Sequence, residues 1–113
     1  MTITAFIQKL KQQPRQLDFS DTMSTIEANY TFTETKFTNG TAVNEAGQNS
    51  GSCKLFAFAK LQKLSQEETL YCFGKYYQDV LATPQGEDHQ NIRNFIKTGW
   101  DGVVFEKDPL IAK

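Results

Sequence analysis

Asn44-Glu-Ala-Gly-Gln-Asn-Ser-Gly-Ser-Cys53-Lys-Leu-Phe-Ala-Phe-Ala-Lys-Leu61 is the stretch on which the fold turns. Its first half is polar and punctuated by glycine, and its second half is almost wholly apolar. Leu55, Phe56, Ala57, Phe58, Ala59, Leu61 and Leu64 point around nearly the whole cylinder of a helix, a pattern that suits a central, buried one. The spacing predicts the chain's third helix over residues 53–64. Cys53 stands at the junction, and residues 45–52 form the loop before it.

Upstream, Ile3, Phe6, Ile7 and Leu10 fall on one helical face, with Thr2 as cap and Pro14 as stop. A second helix is predicted over residues 21–29, capped by Asp18 or Ser20, with Phe19, Met23, Ile26 and Tyr30 as its apolar stripe. Thr31 to Asn44 is rich in Thr, Phe and Val, and Asn39-Gly40 is a two-residue hairpin signal. Strands are expected near residues 36–38 and 41–43.

Downstream, Ser65 and Glu68 have the spacing of a capping box and open a fourth helix. Its inner face carries Leu70, Phe73, Tyr77 and Val80, and Gly74 permits close approach. Pro84 and Gly86 mark a turn. Asp88 caps a fifth helix with Ile92, Phe95 and Ile96 inward. Gly99 and Trp100 suit its end, and residues 102–105 can add a third strand. The reading is a single mainly helical α+β domain, with about five helices and an antiparallel hairpin or three-stranded sheet.

Composition narrows the function classes. The 113 residues are 39% hydrophobic and 22% charged, which fits one ordered domain with its own core. Nine Phe, four Tyr and one Trp make that core aromatic-rich. A net charge of −1, with 12 scattered Lys and Arg, lacks the basic footprint of a nucleic-acid binder. No apolar run reaches membrane-spanning length, and no signal peptide is visible. Two cysteines do not make a disulfide scaffold, and a reducing cytoplasm is the expected site of folding. A single His and the lack of a Cys-x-x-Cys pair leave no usual metal-ligand spacing, so no metal or other cofactor is expected.

Cys53 is the first chemical candidate. A helix N-terminus favours thiolate, and a nearby base makes thiolate a nucleophile. His89 is the only imidazole, Asn91 or Asn94 can orient it, and Gln48 can donate to an oxyanion. This order of Gln, Cys, His and Asn resembles papain-like hydrolases. The Cys-Gly-Ser/Ala-Cys signature is missing, however, and the chain is too short for a two-lobed protease. A buried structural cysteine at the head of an apolar helix is the favoured reading. His89 reads as a hydrogen-bonding side chain that ties the fifth helix to a loop. The run Gly47-Gln48-Asn49-Ser50-Gly51-Ser52, followed by Lys54, can form a nest of backbone N–H groups for an anion. A glycine-rich approach to a helix is more often only a turn. Tyr71, Tyr76 and Tyr77 can line a groove, although aromatics at helical spacing usually pack inside.

Several segments together resemble the HopJ family over essentially the whole chain. They are Phe19-Ser-Asp-Thr-Met23, Glu27-Ala-Asn-Tyr30, Phe37-Thr-Asn-Gly40, Asn44 to Ala59, Cys72-Phe-Gly-Lys-Tyr-Tyr77 and Asp88 to Trp100. That family is named for type III secretion effectors of plant-pathogenic bacteria. The resemblance implies a compact bacterial effector or interaction protein, exported to a host cell, with a host or bacterial protein as partner. It carries across no enzymatic residue set. Type III signals generally occupy a mobile N-terminus, whereas residues 2–13 read as a helix of the fold, so a protein that stays in the bacterial cytoplasm is the alternative. Three readings of activity stand: a non-catalytic effector, a hydrolase using Cys53 and His89, and a small-anion or metabolite binder using residues 47–52. The leaning is away from an enzyme.

Overall fold

The apolar helix occupies the centre of the molecule. In the computed structural model, which describes all 113 residues, it is α3 and spans Ser50–Leu61. Phe56 and Phe58 stand two residues apart, hence about 200° apart around the axis, and so serve different layers. The Phe56 ring centroid lies 4.9 Å from that of Phe95, 5.5 Å from Phe73 and 6.3 Å from Phe37. Phe58 meets Phe6 at 5.5 Å and Tyr30 at 6.0 Å. Both rings are completely buried.

The surrounding helices are α1 (Ile3–Gln12), α2 (Phe19–Asn29), α4 (Gln66–Tyr71), α5 (Lys75–Ala82) and α6 (Gln90–Thr98). The strands are β1 (Tyr30–Phe32), β2 (Phe37–Asn39), β3 (Ala42–Asn44), β4 (Val103–Phe105) and β5 (Leu110–Ala112). β2 is the centre of a three-stranded antiparallel sheet in the order β3-β2-β4. Its register sets Phe37 opposite Asn44 on one side and Phe105 on the other. β1 and β5 form a separate antiparallel ribbon, with Thr31 opposite Ile111. The molecule is thus the expected mainly helical α+β domain, with six helices.

The sixth helix arises because the fourth predicted one breaks in two. Gly74, at φ +60°, separates α4 from α5. A Cβ at that position would lie 2.8 Å from the Phe19 backbone nitrogen and 2.9 Å from the Leu17 carbonyl oxygen. Glycine therefore serves both the turn and the close passage of another chain segment. Thr22 supports the same junction, its hydroxyl donating to the Cys72 carbonyl at 2.7 Å.

Local capping follows the sequence closely on one side of the molecule. Thr2 Oγ1 accepts from the Ala5 amide at 3.0 Å. Ser65 and Glu68 exchange both bonds of the capping box, at 2.9 and 3.1 Å. This backbone bond, helped by Lys11, holds the Glu68 carboxyl below its ordinary pKa.

Other boundaries differ from the sequence reading. α3 starts at Ser50, so Cys53 lies a turn inside the helix and not at its head. The hairpin loop is Gly40-Thr41, and Asn39 ends β2 with its side chain fully buried. α6 is entered through His89 and not capped by Asp88, whose carboxylate is taken by Arg93 at 2.7 Å. Leu61 and Ile96, expected inside, are exposed. On α2 the buried face is Thr22, Thr25 and Ile26, while Phe19 and Met23 are only half-buried.

Candidate functional site

Two helix starts open onto one cleft. α3 is entered through Asn49 (φ 51°, ψ 44°) and α6 through His89 (φ 52°, ψ 47°). Both residues occupy the left-handed region, which costs an L-residue about 1–2 kcal/mol and which Asn and His tolerate better than most. Neither start has a side-chain cap, unlike α1 and α4. The uncapped ends present backbone N–H groups and the positive end of the helix dipole.

The cleft between them has a volume of about 730 Å³. Its floor is a network of asparagines, of which Asn39, Asn44 and Asn91 are buried and Asn49 is exposed. Asn91 Nδ2 donates to Asn44 Oδ1 at 3.0 Å, and Asn44 Nδ2 returns a bond to Asn91 Oδ1 at 3.3 Å. Asn39, behind them, donates to the Asn91 backbone oxygen at 2.7 Å and to Asn91 Oδ1 at 3.1 Å. Asn49 Nδ2 donates to Asn44 Oδ1 at 2.6 Å, which fastens the first turn of α3 to the end of β3. One buried acceptor, Asn39 Oδ1, has no partner. Such a network holds its amide planes in fixed orientation.

The wall is aromatic. Tyr76, still 44% exposed, packs its ring edge-on to Phe19 at 5.3 Å and tilted against His89 at 5.5 Å. Phe19 stacks on Phe73 at 6.2 Å. It also lies against Gly51, where a Cβ would approach the ring to 2.9 Å, so only glycine lets α3 sit this close to the wall. Glu87 and Asp88 form part of the lining beside His89. The Asp88 carboxyl lies below its ordinary pKa because the Arg93 guanidinium bonds to it. Arg93 also donates to the Asp88 backbone oxygen at 2.6 Å and the Thr83 oxygen at 2.7 Å, which pins the loop before α6.

The sequence candidates separate into two groups. Asn49, Gly51, Ser52, His89 and Asn91 line the cleft. Cys53 does not: it is 2% exposed, and burial pushes its thiol up to about 11. Cys72, also buried and free, is pushed up to about 12, again chiefly by burial. Gln48 folds back on its own loop, Oε1 accepting from the Glu45 amide at 3.1 Å. Gly47 lies near the Glu34 carboxylate, and Ser50 is half-buried off the cleft wall. Lys54 pairs with Glu27 at 3.5 Å and sits over the Phe32 ring at 4.9 Å. Of the three tyrosines only Tyr76 reaches the cleft, while Tyr71 and Tyr77 pack edge to face at 5.5 Å.

Phe19 and Ile92, read from the sequence only as core-facing, also line the cleft, as do Ala42 and Asn44. The two helix entrances share a local feature: the polar residues Asn49 and His89 each stand immediately before a helix. Both take up the left-handed conformation there.

This arrangement defines an α+β fold with a polar-aromatic cleft. The model of the HopJ family, described as HopJ type III effector protein, matches residues 3–110. The chain belongs to the HopJ family. It is also similar to a crystal structure described as "unknown function protein VPA0580", at 50% identity and a TM-score of 0.98, covering 100% of this chain and 95% of that one. No curated protein matches it. No helix is long and apolar enough to cross a membrane.

Proposed function

We propose that this HopJ protein is a non-catalytic effector that acts by binding, and that the cleft at the starts of α3 and α6 is its ligand site. The observation that carries the reading is the convergence of two uncapped helix starts and a locked asparagine floor on one cleft of about 730 Å³. Its size falls in the range of about 300–1,000 Å³ typical of small-molecule sites. Export to a host cell belongs to the same proposal and rests on the family description. The cysteine-hydrolase reading has its nucleophile on the wrong side of the wall. Ser52 lines the cleft, whereas Cys53 is sealed in the core.

The test is a fragment screen on isotopically labelled protein, read by amide chemical shifts. Binders are expected to move the amides of Gly51, Ser52, Gln90 and Asn91 together. Binders that cluster elsewhere, or hydrolytic turnover that disappears in Cys53→Ser, would overturn the proposal.

A further inference from the structure

Resting on that reading of the cleft, we infer the class of its ligand: a neutral, hydroxyl-rich molecule of mono- or disaccharide type. Charge supplies the first argument. The ionisable side chains on the walls are Glu87, Asp88, His89 and Tyr76, with no Lys or Arg among them. The nearby cations are committed, Lys54 to Glu27 and Arg93 to Asp88 and Thr83. A polyphosphate or dicarboxylate would meet the Glu87 carboxylate and an Asp88 already neutralised by Arg93, with no uncommitted Lys or Arg to pair with. A cation would meet the positive ends of two helices. Both signs are opposed, and a neutral ligand is not.

Hydrogen-bond chemistry supplies the second argument. A sugar hydroxyl both donates and accepts, and a pair of neighbouring hydroxyls matches a planar amide edge carrying one donor and one acceptor. Asn49 and Gln90 each keep an acceptor and one N–H for such an edge, while Asn44 and Asn91 spend theirs on one another and on Asn39, Asn49 and Phe37 and hold the floor in place. The helix-start amides add donors, and Glu87 and Asp88 add acceptors.

The third argument is the wall. Tyr76 keeps exposed ring surface in the cleft, a platform for the C–H face of a pyranose. A flat heterocycle held between two rings needs them parallel. Tyr76 forms no such slot, with Phe19 at 76° to it and His89 at 47°.

The experiment titrates labelled full-length protein with glucose, galactose, N-acetylglucosamine, maltose and cellobiose. Adenosine, sodium phosphate and a general fragment cocktail serve as comparison probes. At least one sugar is expected to shift the Gly51, Ser52, Gln90 and Asn91 amides in a saturable way, with saturation transfer to its ring protons. Tyr76→Ala should weaken that binding at least tenfold while the rest of the spectrum keeps its dispersion, and Tyr76→Phe should retain it. If adenosine, phosphate or fragments move these amides and no sugar does, the ligand class is overturned while the cleft reading stands. If no probe moves them, both are overturned.

Discussion

Ser52 and Cys53 are neighbours on one helix and belong to different regions of the molecule. Ser52 belongs to the first turn of α3, which opens onto the cleft. Cys53 belongs to the body of α3, where it and all of residues 55–59 are buried. In the closed region the rings meet one another, and the helices α1 and α4 around it are capped by Thr2 and Ser65. The open region is held rigid by asparagines yet leaves two helix starts without caps. Apolar burial stabilises the first and a buried amide network the second, and only the second offers free helix starts for binding, so substitutions should affect the two differently.

The largest effect is expected in the closed region. Phe58→Ala removes a fully buried ring in contact with Phe6 and Tyr30 and should cost about 3–5 kcal/mol in denaturant unfolding. A loss below about 1 kcal/mol would show that α3 is not the centre of the fold. Asn91→Ala should follow at about 2–4 kcal/mol, because it strands the buried polar groups of Asn39 and Asn44. A negligible cost would mean the asparagine floor is loose, and the cleft would lose its claim to be preformed.

A capping variant sharpens the comparison further. Ser65→Ala should cost about 1 kcal/mol at neutral pH. The Glu68 carboxyl is depressed in the folded state, so its share of stability is present above the unfolded value. That share is lost as pH falls through the lower folded value. Wild-type protein should therefore lose this contribution on acidification, and Glu68→Gln should flatten that part of the pH-stability curve.

The smallest effect is expected in the open region, with opposite sign. His89→Gly relieves a left-handed residue and should leave stability unchanged or raised by up to about 1 kcal/mol, while weakening ligand binding through loss of the Tyr76 contact. A clear loss of stability would place His89 with the structural residues.

The same division explains what was legible in the sequence. Thr2, Ser65 and Glu68 act through bonds three residues away, so their roles could be read from spacing alone. The apolar circumference of α3 likewise announced a central helix. Its first turn did not, because Asn49 starts the helix by backbone conformation and carries no side-chain cap. The hairpin slipped by one residue because Asn39 is held inside by Asn91, a partner remote in sequence. The split at Gly74 depends on Leu17 and Phe19 passing close by, again a tertiary cause. The β1–β5 ribbon joins Tyr30–Phe32 to a segment near the far end of the chain, which no local pattern marks. The cleft draws its walls from several separate segments, and so only parts of it stood out in the sequence, among them the cleft-lining members of the run 47–52 and His89 with Asn91.

The division between Ser52 and Cys53 is tested most directly by the pH dependence of Cys53 alkylation by iodoacetamide, read by peptide mass against the same chain unfolded. A sealed thiol raised to about 11 should react at neutral pH at least about a hundredfold more slowly than an unfolded cysteine near 8.5, with a rate still climbing well above that value. Alkylation at neutral pH as fast as in the unfolded chain, with a plateau below about 8.5, would contradict the account. It would return Cys53 to the cleft as a nucleophile.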